Sequence, residues 1–179
     1  MQLETERLVL RKPRLEDADA AAEHLTDPAV MRFIGAGGET VPREDCAAIV
    51  QKWLDRWEAN GFGQFAVERR DDSRFLGRLG LLVWDRALWE PSNLRDAAEP
   101  QIELGWTLAR EHWGRGYATE GAAAVRDWAF GELAVENLVS IIHPDNRASA
   151  RVAEKLGAQP GEAIETRRHG PAVLWVYPR

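Results

Sequence analysis

A glycine-rich turn at residues 113–118 lies between a strand-like run, 102–108, and an alanine-rich helical run that begins near Thr119. A strand that passes through such a turn into a helix leaves several backbone N–H groups unpaired and directed at one point, where the helix dipole also favours negative charge. Gly116 lets a phosphate approach the backbone, and Ala118 keeps that approach clear. The turn therefore predicts a cradle for a pyrophosphate.

Short glycine motifs also occur as plain strand-to-helix turns, so the glycines alone leave the two interpretations about equal. Three neighbours, Arg110, His112 and Arg115, place positive or potentially positive groups around the same turn. The chain as a whole is acidic, with 23 Lys and Arg against 29 Asp and Glu and a formal net charge of -6. A basic cluster at this point of an acidic chain favours the anion site.

Three further polar residues stand out by their positions. Glu103 alternates with apolar neighbours, so it projects from the opposite sheet face, where a carboxylate is ordinarily solvated or ion-paired. Asn146 begins a helix, a position at which an asparagine side chain caps free N–H groups. Ser149 shares a helical stripe with apolar residues and faces inward, where a serine commonly bonds to its own backbone.

Several blocks of the chain together resemble the GNAT N-acetyltransferases. The blocks are 103–106, 112–120, 143–149 and 154–157, and they occur in the order and spacing of that family. Within it, the chain is most similar to the RimJ/RimL branch, which acetylates the N-termini of ribosomal proteins and in which the opening 4–11 is also typical. The resemblance covers nearly the whole chain.

The resemblance implies acetyl-CoA as cosubstrate. Its pyrophosphate would be held by the N–H groups of the glycine turn, its pantetheine arm would pair with the strand around Thr107, and Asn146 would bond to that arm. The family motif usually begins with Gln or Arg where this chain has Trp113, a change common in the RimJ/RimL branch. The implied cofactor-binding residues are Trp106, Thr107, Leu108, Gly114, Arg115, Gly116, Tyr117, Ala118, Thr119 and Asn146.

The resemblance also implies catalytic roles. Many GNAT enzymes use a strand carboxylate, directly or through water, as general base, which points to Glu103, with Glu68 as a competitor that could face the same cleft. The tyrosine that protonates the leaving thiolate in many relatives is replaced here by Ala153, and Ser149 is the substitute that the branch suggests. A neutral amine would attack the thioester directly, and a backbone N–H near Thr107 would stabilise the oxyanion.

Three acceptor hypotheses remain open. The first is a protein or peptide N-terminus, as in the RimJ/RimL branch. The second is a small amine such as an amino acid, a polyamine or an antibiotic, and a cationic one would suit four acidic residues of the 85–100 segment, Asp85, Glu90, Asp96 and Glu99. The third is a non-catalytic acyl-CoA binding module, for which the missing tyrosine is the argument.

Hydrophobic periodicity predicts the order β-α-α-β-β-β-α-β-α-β-β and one mixed α/β (α+β) domain over 1–179. The family adds a bent, mostly antiparallel sheet flanked by helices, in which two strands splay apart after Glu103. Trp84 and Trp89 flank the 85–100 loop and could line an acceptor pocket; core packing is the favoured role for Trp84, and neither role is favoured for Trp89. The predicted elements are strand 7–11, helix 15–25, a flexible joint 35–38, helix 42–60, strands 62–69 and 75–84, an irregular loop 85–100, strand 101–108, helix 119–130, strand 138–143, helix 146–156 and a hairpin of 163–167 and 172–177.

Composition limits the remaining function classes. A hydrophobic fraction of 45% without any apolar run of about 20 residues predicts no membrane span, and the net charge of -6 argues against a nucleic-acid partner. The acidic start lacks the pattern of a signal peptide, so a cytoplasmic location is expected. The single Cys46 forms no internal disulfide, and the four histidines lack metal-ligand spacing, so no metal is expected. Exposed sheet edges favour a homodimer.

Overall fold

The computed structural model describes residues 1–34 and 36–179. Nine strands and five α-helices alternate along this part of the chain, with short 3₁₀ turns such as Leu15–Asp17, Arg43–Asp45 and Arg110–His112 preceding three of the helices. The strands are β1 (Gln2–Glu4), β2 (Leu8–Arg11), β3 (Gln64–Arg69), β4 (Phe75–Asp85), β5 (Glu90–Ser92), β6 (Pro100–Leu108), β7 (Leu138–Ile142), β8 (Gln159–Thr166) and β9 (Gly170–Val176). The helices are α1 (Ala18–Leu25), α2 (Pro28–Met31), α3 (Cys46–Asn60), α4 (Tyr117–Gly131) and α5 (Arg147–Lys155).

The strands form one sheet in the order β1-β2-β3-β4-β6-β7-β9-β8, and β5 pairs with β4 outside this path. Every neighbouring pair is antiparallel except β6 and β7, which run parallel. Their pairing is limited to Ile102 with Leu138 and Glu103 with Val139. The bent, mostly antiparallel sheet is confirmed, and β6 and β7 separate after Glu103 as expected.

Helices cover both faces of the sheet. On one face, α4 packs on the main core, where Gly121 approaches Leu79 so closely that a Cβ would lie 2.5 Å from its Cδ2. On the other face, α1 and α3 pack a second core around Val50 and Trp53. Side chains alternate between the two faces along β4, so Arg78, Leu82 and Trp84 lie on the α3 side of the sheet. The functional site lies on this side. No helix within the described residues is long and apolar enough to span a bilayer.

Three short elements differ from the sequence prediction. After the predicted helix 15–25, the Asp27-Pro28 pair starts an additional short helix, α2, since the Asp27 carboxylate caps Ala29 N–H at 2.8 Å. Strands β1 and β5 have three residues each, which is too few for a hydrophobic period to show in the sequence. The segment 85–100 was predicted as an irregular loop, but it contains β5. Of the joint predicted at 35–38, Gly35 lies outside the described residues, and Ala36–Gly38 forms a 3₁₀ turn.

Candidate active site

Two cavities open on the two sides of the gap between β6 and β7. The Glu103 cavity, of about 330 Å³, is bounded by α3, β4, β6 and β7, and the turn cavity, of about 510 Å³, is bounded by the glycine turn and α5. They meet at one place, so a ligand in either cavity can contact a ligand in the other. The residues that line both are Phe33, Ile34, Trp106, Thr107, Asn146 and Ser149, and we call this set the junction.

The glycine turn forms the outer wall of the turn cavity. Gly114 and Gly116 have left-handed backbones, with φ of 73° and 82°, and Gly116 is the N-cap residue of α4. This conformation favours glycine, because other side chains are strained in it. Trp113 links the turn to the sheet, because its Nε1 donates to Leu108 O at 2.8 Å. The helix N-terminus is thus open to the cavity.

Nine of the ten residues predicted to bind the cofactor line the turn cavity, and Arg115 does not. Arg115 is exposed, and its carbonyl accepts from Arg7 Nη1 at 3.0 Å. Arg7 also pairs with Glu120 of α4 at 2.6 Å and lies 4.8 Å from the Tyr117 ring centroid. An arginine that precedes β2 therefore holds the turn in place, a role with no signal in the local sequence.

The positive charge expected around the turn is differently arranged. Arg110 forms an ion pair with Asp27 at 3.2 Å. His112 lines the cavity, but burial lowers its pKa, so the imidazole is neutral at physiological pH. Three other cationic side chains line the cavity instead, namely Arg32 and, from α5, Arg151 and Lys155. A cationic wall is present, and α5 supplies much of it.

The edge of β6 that faces the gap carries free backbone groups. Ala109 N–H donates to Leu76 O of β4 at 2.9 Å, so residues of odd number direct their backbone groups toward β4 and those of even number toward the gap. The carbonyls of Leu104 and Leu108 agree with this alternation, since side chains outside β4 donate to them at 2.5 and 2.8 Å. Beyond the β7 pairing, the backbone groups of Trp106 and the N–H of Leu108 therefore remain available on the gap side of β6.

The same alternation specifies which N–H groups reach the junction. Those of Trp106 and Leu108 face the gap, whereas the backbone of Thr107 faces β4. The side chain of Thr107 is buried on the same sheet face as Glu103. An oxyanion donor near Thr107 is therefore the N–H of Trp106 or Leu108, because the N–H of Thr107 itself is directed away from the gap.

Glu103 is placed in its cavity by three neighbours. Its Oε2 accepts from Trp84 Nε1 at 2.5 Å, and the backbone N–H of Ile141 is directed at the same carboxylate. A Cβ on Gly105 would lie 3.5 Å from its Oε1, so the carboxyl group lies over a residue without a side chain. The carboxylate is thus held in one position with open space beside it.

Burial raises the pKa of Glu103, because removal from water disfavours the charged form. The Trp84 hydrogen bond and the positive charges of Arg78 and Arg56 oppose this rise of the pKa. A carboxylate whose pKa is raised in this way is a stronger base than an exposed one. These are the properties of a general base.

Asn146 and Ser149 are joined at the start of α5. Asn146 Oδ1 accepts from Ser149 N–H at 3.1 Å, so the N-cap interpretation of Asn146 agrees with the structure. Its Nδ2 has no partner among the described residues and lies at the junction, so the amide can cap the helix and still bind a ligand. The Ser149 side chain is half-buried and lines both cavities.

A buried hydroxyl chain connects β6, β7 and the end of β9 where the sheet opens. Ser140 Oγ donates to Leu104 O at 2.5 Å and lies 2.8 Å from the Tyr177 hydroxyl. Since the serine hydrogen is used on Leu104, the tyrosine is the donor in the second bond. Ser140 thus replaces a strand hydrogen bond beyond the last β6–β7 pair, a role that the sequence analysis missed.

The other candidates lie away from the cavities. Glu68 accepts from Arg11 Nε at 2.8 Å and lines neither cavity, so its predicted access to the cleft is not supported. Two of the four acidic residues of 85–100 have structural partners: Asp85 caps the backbone of Ala87 and Ala98, and Glu90 pairs with Arg167 at 3.2 Å. None of the four lines the Glu103 cavity, so these residues give no support to a cationic acceptor.

Trp84, expected in the core, is buried but also lines the Glu103 cavity, whereas Trp89 packs beside Ile164 and Leu174. Cys46 is buried in the second core, and burial raises its pKa. No cluster of three potential metal-ligating side chains occurs in 1–34 or 36–179.

Comparison with known proteins agrees with this geometry. Residues 7–159 match the family model described as an acetyltransferase (GNAT) domain. Protein YkkB of Bacillus subtilis is 32% identical over 91% of this chain and 88% of its own, and N-acetyltransferase p20 of Bacillus licheniformis is 27% identical over 88% and 82%. An acetyltransferase structure from Agrobacterium tumefaciens superposes with a TM-score of 0.78 at 29% identity, covering 100% of this chain and 95% of that one.

Proposed function

The chain belongs to the GNAT acetyltransferase family, and we propose that it transfers the acetyl group of acetyl-CoA to a primary amine bound in the Glu103 cavity. The observation that carries this proposal is the junction, where the turn cavity and the Glu103 cavity meet beside a base-like carboxylate. Direct transfer requires both reactants to contact each other within one site. A purely binding module would have no use for a second cavity that opens on the first.

In the proposed complex, the pyrophosphate lies at the N-terminus of α4, where free N–H groups and the helix dipole favour an anion. The pantetheine amides follow the open edge of β6 as an added strand would, and Asn146 Nδ2 donates to them. Arg151 and Lys155 lie on the wall where the phosphates of the nucleotide would pass. This arrangement brings the thioester to the junction.

The proposed chemistry is direct attack of the amine nitrogen on the thioester carbonyl carbon. A C–N bond forms, the N–H of Trp106 or Leu108 stabilises the oxyanion, and Glu103 takes the amine proton directly or through water. The C–S bond then breaks, and Ser149, at the first turn of α5, stabilises or protonates the departing thiolate. Each group acts from the position that the fold gives it.

The acceptor is limited by the size of its cavity. A volume of about 330 Å³ is at the lower end of small-molecule sites, so it admits a small amine or the first residue of a peptide. The RimJ/RimL-like branch, with a peptide N-terminus as acceptor, remains a prediction from sequence motifs, and so do the cytoplasmic location and the homodimer. The cavity itself gives most support to a small amine.

The test is release of free thiol from acetyl-CoA in the presence of a panel of small amines and N-terminal peptides, with product mass confirmed by mass spectrometry. Acceptor-dependent release supports the proposal. Gly116→Trp should abolish it, because the side chain would fill the phosphate cradle. Binding of acetyl-CoA without release for any acceptor would favour the non-catalytic binding module.

Gly157→Trp is the matched control for this substitution. Gly157 has a φ of 84°, against 82° for Gly116, and both residues are exposed, so the two changes impose similar backbone strain. Gly157 lines neither cavity. Retained activity in this variant would show that strain alone does not explain the loss in Gly116→Trp.

A further inference from the structure

The charged side chains that line the Glu103 cavity are mostly cationic. Lys52 and Arg56 reach it from α3, and Arg78 reaches it from β4. Within the ranges 1–34 and 36–179, Glu103 is the only carboxylate on its walls. One anion against three cations leaves a surplus of positive charge, in a chain whose formal net charge is -6. The cavity is therefore electrostatically unlike the rest of the molecule.

Arg78 is the least satisfied of the three cations. Its Nε is buried and has no hydrogen-bond partner in the part of the chain that the structure describes. The Trp53 ring, 5.5 Å from the guanidinium carbon, fixes its orientation. Burial and the nearby Arg56 lower the pKa of Arg78 to about 10, so it stays protonated at neutral pH.

Arg56 is in a similar position. Burial lowers its pKa, and the charge of Glu103 only partly compensates for the loss of water. Neither Arg56 nor Arg78 forms a salt bridge with any described carboxylate, although nine other arginines of the described residues do. Two half-buried guanidinium groups that share one distant carboxylate are destabilising unless another anion joins them.

Building on the acetyl transfer proposed above, we infer that the acceptor is a primary amine that also carries a carboxylate, such as a free α-amino acid. The carboxylate binds to Arg56 and Arg78, whose planar guanidinium groups present paired N–H donors to two oxygens. The amine then lies toward Glu103 and the junction. The two arginines select the acceptor, and Glu103 activates its nitrogen.

A carboxylate explains the charges better than the alternatives do. A polyamine would add positive charge beside Arg56 and Arg78, and none of the acidic side chains of the 85–100 segment lines the cavity to receive it. A neutral amine would leave the surplus positive charge of Arg56 and Arg78 without a counter-ion. A peptide with an acidic first side chain has the same chemistry as an amino acid, and the test separates these two sources.

The experiment compares kcat/KM for the encoded α-amino acids, for their carboxamides, and for dipeptides with Asp or Glu at the first position. The wild type should prefer the carboxylate form over the carboxamide. This preference should fall about 10- to 100-fold in Arg78→Gln and in Arg56→Gln, the range expected for loss of a charge-assisted hydrogen bond. Comparing the preference between variants cancels the different basicities of the two amines.

Arg95→Gln is the control, because Arg95 is exposed in the 85–100 segment and does not line the cavity. Equal rates for carboxylate and carboxamide forms would overturn the inference and leave the acetyltransferase proposal intact. Activity confined to the acidic dipeptides would support carboxylate recognition and identify a peptide as its source. A preference that survives in both arginine variants would also overturn the inference.

If no acceptor is turned over, that result counts against the proposed acetyl transfer. A binding measurement then tests separately whether Arg56 and Arg78 recognise a carboxylate. The melting temperature of the CoA-loaded protein is measured with each amino acid and with its carboxamide. A larger rise with the carboxylate form, lost in Arg78→Gln, would support the arginine site by itself. Equal rises for both forms, or none, would contradict it.

Discussion

Glu103 acquires its chemistry from where β6 ends its pairing with β7. It is the last residue of β6 that pairs with β7, so its carboxylate lies where the two strands separate. Trp84 holds one carboxylate oxygen, and Gly105 leaves space beside the group. Burial raises its pKa, and the Trp84 hydrogen bond and nearby arginines act against the rise. A single residue is thus positioned, tuned and kept accessible by its neighbours.

Glu103→Gln should reduce kcat/KM by about 10²- to 10⁴-fold, the usual effect of losing a general base. The amide oxygen can still accept from Trp84, so the fold should be unchanged. In the wild type, a raised pKa means that activity is lost as pH falls through a value above the ordinary range of a glutamate. Thiol release measured against pH should show this acidic limb, and the variant should lack it.

Glu68→Gln serves as the comparison, because Glu68 was the competing base and is instead paired with Arg11. Its turnover should stay within a few-fold of wild type. If Glu68→Gln lost as much activity as Glu103→Gln, the assignment of the base would have to be abandoned.

Ser149→Ala should reduce kcat by about 10-fold or more while the affinity for acetyl-CoA stays nearly constant, since the hydroxyl acts on the departing thiolate. The substitution keeps the backbone N–H that donates to Asn146, so the cap of α5 is retained. Calorimetry with acetyl-CoA and steady-state turnover separate the two effects. Unchanged kcat would remove Ser149 from the mechanism.

At the residue scale, local sequence patterns could predict Glu103, Asn146 and Ser149, because alternation and helix starts determine where those side chains point. They could not predict Arg56 and Arg78. An arginine on a helix or strand ordinarily looks solvated, and only the packing of α3 over β4 places these two in one cavity. The prediction that acidic residues such as Asp85 would face the acceptor failed for the same reason. The Asp85 carboxylate binds the backbone N–H of Ala98, a contact that depends on the tertiary structure.

At the element scale, the divergence of β6 and β7 creates both cavities, and a buried hydroxyl chain stabilises it. Ser140 bonds to Leu104 O just beyond the last backbone pair, and Tyr177 bonds to Ser140. Burial and the environment of this chain raise the pKa of Tyr177 to about 12, so its hydroxyl remains a donor at any physiological pH. The gap between β6 and β7 is therefore stabilised by hydrogen bonds within the core.

Ser140→Ala should lower the free energy of unfolding by about 1–3 kcal/mol, because it leaves Leu104 O and the Tyr177 hydroxyl buried without their partner. Chemical denaturation of Ser140→Ala, Tyr177→Phe and the double variant forms a cycle. We expect the double variant to be less destabilised than the sum of the singles. Additive effects would mean that the two hydroxyls do not act as a unit.

Elements with a full hydrophobic period were predictable, and the short ones were not. α3 and α4 have 15 residues each and carry clear apolar stripes, so their existence followed from spacing. β5, with three residues, is fixed by pairing to Val83–Asp85 of β4, which is a tertiary fact. The separation of β6 and β7 after Glu103 has no local sequence signal, because no local pattern encodes where two parallel strands stop pairing. It was expected only from the family resemblance.

At the scale of the whole molecule, the second core carries a buried base that links stability to pH. His24 of α1 is stacked against Trp53 and Phe75, and neither ring nitrogen has a hydrogen-bond partner among the described residues. Burial, with a contribution from Arg78, lowers its pKa to about 3. The folded state therefore requires the neutral imidazole.

Because the pKa of His24 is lower in the folded state, its contribution is favourable above about pH 6.5 and is lost as pH falls toward 3. At pH 5 the loss is about 2 kcal/mol, from the difference between the folded pKa of about 3 and the ordinary value of 6.5. His24→Phe should flatten the decline of unfolding free energy between pH 7 and pH 5. An unchanged decline in urea denaturation would contradict this origin.

The central claim for the molecule as a whole is that acetyl-CoA and an amine meet at the junction and react directly. Cys46, the one thiol, is buried in the second core and lines neither cavity, so no cysteine can carry the acetyl group in between. The most direct test is initial-rate kinetics in which both substrates are varied. The account predicts intersecting double-reciprocal lines and no acetylated protein by mass spectrometry, whereas parallel lines with a trapped acetyl-enzyme would contradict it.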